Sequence, residues 1–176
     1  EFESLLKDSV ALRMRSDVPV GFASSGGLDS SAILYMAHDI LKKKNAAANI
    51  NTFSAIFPGD TGDESYFIKL VEKDLNVKSF YVNPMETFTI NDFEKHIYHQ
   101  DEPVLTTAFY AGWSVSRLVR ENNVTVLMVG QGADAFGVEP IGRFLDLLAR
   151  AAVDDAGLAV VLVADEAQQL ALGFVL

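Results

Sequence analysis

Four short, almost wholly apolar runs divide the chain: residues 18–23 (VPVGFA), 50–57 (INTFSAIF), 77–82 (VKSFYV) and 124–129 (VTVLMV). Between them, apolar residues recur at helical spacing. A strand that is apolar on both faces must be covered on both faces, which is the condition of a parallel sheet between two helical layers. The expected architecture is therefore a three-layer α/β domain with a parallel sheet of four or five strands. Right-handed crossovers place the strands in the order 3-2-1-4, with a fifth strand, Leu158 to Val163, outside strand four. Helices are expected over 1–16, 31–44, 63–75, 90–99 and 106–122. Pro19 stops the first of these, because proline disfavours helix in the residue before it.

At 176 residues the chain suits one compact domain that needs no disulfide or metal staple. It has no cysteine, which removes thiolate nucleophiles and Cys-ligated zinc or iron–sulfur centres. A net charge of −10 argues against a general affinity for nucleic acid or anionic membranes. Its longest apolar run, Leu158 to Ala164, is too short to cross a bilayer, and the N-terminus lacks a signal pattern. The expectation is a cytoplasmic domain cut from a longer protein, since no initiator Met is present. From Arg143 to Leu176 there is no Lys, Asn or Ile, and Ala and Leu abound. The chain is accordingly divided into 1–142 and an atypical segment, 143–176, packed on the same domain.

Ser25-Gly26-Gly27-Leu28-Asp29-Ser30 lies between the first strand and the second helix. Paired glycines let backbone approach a ligand, and the helix N-terminus offers free N–H groups to an anion. Ser25 and Ser30 add hydroxyl donors. Asp29 would repel a phosphate unless a Mg²⁺ lies between them. The string is neither a phosphate loop of the G-K-[ST] type nor a dinucleotide fingerprint. The bland alternative is a helix cap with a flexible turn. Gly130-Gln131-Gly132-Ala133-Asp134 ends the fourth strand. In an open parallel sheet, ligands bind beyond the strand ends where the order reverses. With strand four beside strand one, Asp134 would face Asp29, and the two could hold Mg²⁺ against a triphosphate.

These residues resemble a known family. SGGLDSS is similar to the pyrophosphate-binding motif of the N-type ATP pyrophosphatases. Arg13 to Ser31 resembles the synthetase domain of glutamine-dependent asparagine synthetases. TFSAIFPG with Asp63-Glu64, then Asp101-Glu102-Pro103, then GQGAD, follow in that family's order. The resemblance implies an adenine nucleotide alpha hydrolase-like fold with ATP and Mg²⁺ as cofactors, and Asp29 and Asp134 as metal ligands. It implies nucleotide contacts at Ser24, Ala55, Val129 and Gly130, mostly through backbone. It further implies asparagine biosynthesis: an aspartate-like carboxylate is activated as an acyl-adenylate, and ammonia, either free or supplied by a separate glutaminase domain or subunit, forms the amide. The chain departs from the family pattern at Ser24, usually apolar, and after GQGAD, where Ala135 replaces an acidic residue. No lysine follows Lys95, so Arg143 and Arg150 are the candidates for a late phosphate-side cation. Two other readings stay open: a nucleotide-binding remnant without turnover, and a β-lactam or other amide ligase on the same scaffold.

Other residues carry weaker signals. Asp63 and Glu64 suit the positive end of a helix, with a metal-side role as the alternative. His38, His96 and His99 read as surface or capping groups, and Tyr110 and Trp113 as packing. Asp101-Glu102-Pro103 is either a plain turn or, as the resemblance implies, part of the acceptor pocket.

Overall fold

A computed structural model describes residues 2–43, 50–100 and 106–130. In chain order these form α1 (Phe2–Arg13), β1 (Val20–Ala23), α2 (Leu28–Lys43), β2 (Asn51–Ala55) and α3 (Ser65–Leu75). They continue as β3 (Lys78–Val82), α4 (Pro84–Thr87), α5 (Ile90–Gln100), α6 (Thr107–Glu121) and β4 (Val126–Met128). The four strands form one sheet in the order β3-β2-β1-β4. Every pairing is parallel, with Phe22 beside Thr52 and Met128, and Phe53 beside Phe80. The expected three-layer α/β fold and strand order are both present. The proposed fifth strand and the segment 143–176 lie outside the described residues.

Strand alternation distributes side chains to the two faces. Phe22 and Met128 join Leu6 and Val10 of α1, Ile33 and Leu34 of α2 and Leu75 of α3 in one buried core. Phe53 faces the other way and meets Val119 of α6 and Val124, with Phe80 and Leu127 packed against them. The Phe53 and Phe80 rings stack at 5.1 Å between centroids. Gly21 makes that layer possible: a Cβ there would lie 2.6 Å from the Phe53 ring. α6 covers β2 and β3, and α4 and α5 pack on α6.

The apolar pattern concealed a polar seam under α3. Glu72 is buried and accepts hydrogen bonds from the Thr52 hydroxyl at 2.8 Å and from the Tyr81 hydroxyl. Thr52 also bonds Ser79 at 3.0 Å. Element ends differ from expectation where side chains compete for backbone. α2 starts at Leu28, three residues before the expected Ser31, so Asp29 sits in its first turn and not in a free loop. The Ser31 amide and hydroxyl both bond the Gly27 carbonyl, at 3.2 and 2.7 Å, which closes that turn early. α3 starts at Ser65, so Asp63 and Glu64 precede it. The one-turn α4 was not expected; the Asn83 side chain caps it by accepting from the Met85 amide at 3.0 Å.

Candidate nucleotide site

The order reversal falls between β1 and β4, and the loop 24–27 leaves β1 at that point. The loop is held by its own serines. The Ser25 amide donates to Ser30 Oγ at 3.2 Å, and the two hydroxyls lie 3.0 Å apart. Ser30 Oγ also reaches the Gly27 carbonyl at 3.2 Å. Gly26 has φ +78°, the left-handed region that favours glycine. A Cβ there would meet Glu64 O and Phe67 Cβ, each at 3.1 Å, so the turn is pressed against the start of α3.

Gly130 brings the end of β4 onto the same turn. A Cβ at Gly130 would lie 2.9 Å from Ser30 N and 3.0 Å from Asp29 C. The first residue of GQGAD therefore touches the first turn of α2 by backbone. Gln131 to Asp134 lie outside the described residues, as do Asp101 to Pro103, Arg143 and Arg150. Val129 is exposed at the strand end.

Beside the loop is a cavity of about 210 Å³ at the carboxyl ends of β1 and β2. Ser24, Ser25, Phe53, Ala55, Phe57 and Gly112 are among the residues that line it. Ser24 and Ala55, two of the expected nucleotide contacts, thus share one cavity with Ser25, and Gly130 reaches the loop from the far side. Ser24 is 2% exposed, and its hydroxyl has no partner among the described residues. A buried hydroxyl without a partner is costly.

Asp63 is committed locally. Its carboxylate accepts from the Phe57 amide at 3.1 Å and from the Ser65 amide and hydroxyl at 3.2 and 2.7 Å. The Ser65 hydroxyl first, then the Phe57 amide, hold its carboxyl below the usual carboxylate range. Among the described residues no three His, Cys, Asp or Glu groups are placed to share a metal. Among the described residues Asp29, in the first turn of α2, and Glu64, on the cavity lining, carry carboxylates beside this loop. That donor set suits Mg²⁺, which commonly takes one or two carboxylates and completes its shell with phosphate oxygens and water.

On the far side of α6 the structure corrects one expectation. His96 is not a surface or capping group: it is 1% exposed, with its ring among Phe93, Tyr110 and Trp113. Asp92, Phe93 and His96 share the inward face of α5, and two of those three read as polar in the sequence. His38 is half-buried on α2, and His99 is exposed and stacks on Trp113 at 5.7 Å. Tyr110 and Trp113 do pack, and both also donate to Asp92 Oδ2, at 2.9 and 3.3 Å. Arg117 completes this buried clamp at 2.6 Å. Sequence reasoning missed the clamp, because the spacing from Asp92 to α6 carries no local signal.

The family described as Asparagine synthase matches residues 1–152. A relative from Methanocaldococcus jannaschii that carries an asparagine synthetase name is 35% identical over 76% of this chain and 25% of its own length. Asparagine synthetase (glutamine-hydrolyzing) 1 of Bacillus subtilis is 32% identical over 76% of this chain and 20% of its own. Amidase chyE of Penicillium rubens is 26% identical over 73% of this chain and 20% of its own. The chain thus spans a fifth to a quarter of the length of these curated relatives. An NH3-dependent NAD synthetase from Campylobacter jejuni superposes with a TM-score of 0.48 at 12% identity, covering 75% of this chain and 56% of that one. On the match over residues 1–152, the chain belongs to the asparagine synthase family, and its motifs are those of the synthetase domain.

Proposed function

We propose that residues 1–142 form an ATP-binding synthetase domain that activates an aspartate-like carboxylate, with 143–176 packed on the same domain. The observation that carries this reading is the contact of Gly130 with the Asp29–Ser30 backbone at the strand switch, with the cavity on the β2 side of the same loop. The reaction is ATP-dependent amidation. A carboxylate oxygen attacks the α-phosphorus of ATP, and pyrophosphate leaves. Ammonia then attacks the acyl carbon, AMP leaves, and the nitrogen loses a proton. In this reading the loop 25–30 cradles the phosphates with backbone N–H groups and the hydroxyls of Ser25 and Ser30. Ser24, Ala55, Val129 and Gly130 surround the nucleoside. Asp29 and Asp134 would hold Mg²⁺, which supplies charge neutralisation for the leaving pyrophosphate. Asp101 to Pro103 would border the acceptor. Ammonia would come free or from a separate glutaminase domain or subunit, in the cytoplasm.

Fixed dipoles aimed at developing charge account for most of the rate gain in such a step. Holding carboxylate and phosphorus in line accounts for much of the rest. No described helix is long and apolar enough to cross a membrane.

The test is ATP–pyrophosphate exchange by this polypeptide, with and without aspartate. Exchange that requires aspartate supports the reading. Exchange driven by a different acid points to another amide ligase. ATP binding without exchange leaves a nucleotide-binding module.

A further inference from the structure

Helix α6 carries a glycine in its interior, Gly112. Glycine weakens a helix relative to alanine, so an interior glycine needs a reason. The backbone supplies none, because the positive-φ glycines among the described residues are Gly26 and Gly59. Packing supplies none either: a Cβ at Gly112 meets no described atom within 4 Å. What Gly112 does face is the cavity of about 210 Å³, where it forms part of the α6 wall with Ala111 and Val115.

The cavity is also lined by Ala55 and by the half-buried Phe57, whereas Phe53 is fully buried with its ring stacked on Phe80. Rings and small aliphatic groups suit the flat faces of a nucleobase. The hydroxyl and amide donors that suit phosphate lie at the Ser25 end. Tyr110, Trp113 and Arg117 tie the other face of α6 to Asp92 of α5, which resists a retreat of α6 alone. Gly112 is itself exposed at the rim of this cavity, so a longer side chain there would compete with an occupant for the opening.

We propose that Gly112 is a specificity-determining residue: the side chain it lacks sets the width of a base subsite bordered by α6, Ala55 and Phe57. This rests on the reading that a nucleotide occupies the cavity, and the two ideas fail differently. The experiment titrates ATP, and separately inorganic pyrophosphate, each with Mg²⁺, into the wild-type chain and into Gly112→Ala, Gly112→Leu and Gly112→Met. Thermal melts accompany each titration.

Gly112→Ala is expected to raise Tm by about 2–4 °C, as a helix-interior glycine with free space should. Gly112→Leu is expected to weaken ATP by about tenfold or more and to leave pyrophosphate affinity within about twofold. Gly112→Met makes the same test with a flexible side chain should the leucine variant fail to fold. ATP affinity within about twofold of wild type in a folded leucine or methionine variant would overturn the proposal. So would a parallel loss of pyrophosphate, or a lower Tm for the alanine variant. A wild-type chain that binds pyrophosphate but not ATP, or neither, contradicts the nucleotide reading itself and the base subsite with it.

Discussion

Gly26 and Gly130 constrain the candidate site in different ways. Gly26 is required by conformation, since its φ of +78° costs an L-residue roughly 1–2 kcal/mol. Gly130 is required by proximity, because a Cβ there would stand 2.9 Å from Ser30 N. Gly130→Ala must push the end of β4 away from the first turn of α2. Among the described residues β4 is a short strand at the edge of the sheet, so the fold should survive with Tm lowered by no more than about 4 °C. Pyrophosphate affinity should fall about tenfold or more, because the cradle amides are displaced from the crevice. Calorimetric titration of pyrophosphate alongside a melting curve checks both parts; intact affinity would show that the β4 end contributes nothing to the cradle. At this scale the motif SGGLDS was legible because consecutive glycines beside serines have few other uses. Gly112 and the unpartnered Ser24 hydroxyl were not, since their meaning depends on which space they face.

Elements were legible where periodicity was clean. β1 to β4 and helices α1, α3, α5 and α6 fall within a few residues of expectation, because apolar runs and stripes decide burial directly. The misses have a common cause in polar residues on inward faces. α2 begins early because Ser31 bonds the Gly27 carbonyl. The α5–α6 pair is held by a carboxylate and a histidine that the pattern assigned to solvent. That pair makes a pH prediction. Burial lowers the His96 pKa below its ordinary value of 6.5, opposed by the Asp92 charge. The folded chain therefore takes up this proton less readily than the unfolded chain. The contribution to stability is fully present above pH 6.5 and is lost as pH falls toward the lowered folded value. Asp39, lowered by its bond to Lys7, acts only below its ordinary 3.8, outside this window. Tm of the wild type should fall between pH 7 and pH 5, and His96→Leu should flatten that slope. Equal slopes in melts at the two pH values would remove His96 as the cause.

For the whole molecule, topology was the most legible feature. Strand–helix alternation and the handedness of crossovers leave few arrangements, and β3-β2-β1-β4 is among them. That order alone brings residues 24–30 and 129–130 together from opposite parts of the chain. A linear sequence shows the two loops but not the backbone contact between them. Nor does it show that α6 carries a cavity wall on one face and the Asp92 clamp on the other. In the proposed function this meeting point binds Mg-ATP through the cradle and Asp29. Asp29 is half-buried in the first turn of α2, where a neutral isostere should preserve the helix. The measurement is a calorimetric titration of Mg-ATP into the wild-type chain and into Asp29→Asn, with a melting curve for each. The wild type is expected to bind saturably. Asp29→Asn is expected to bind at least about tenfold more weakly, with Tm within about 2–4 °C of wild type. Equal affinity in the two folded proteins, or no binding by the wild type, would contradict the proposed function.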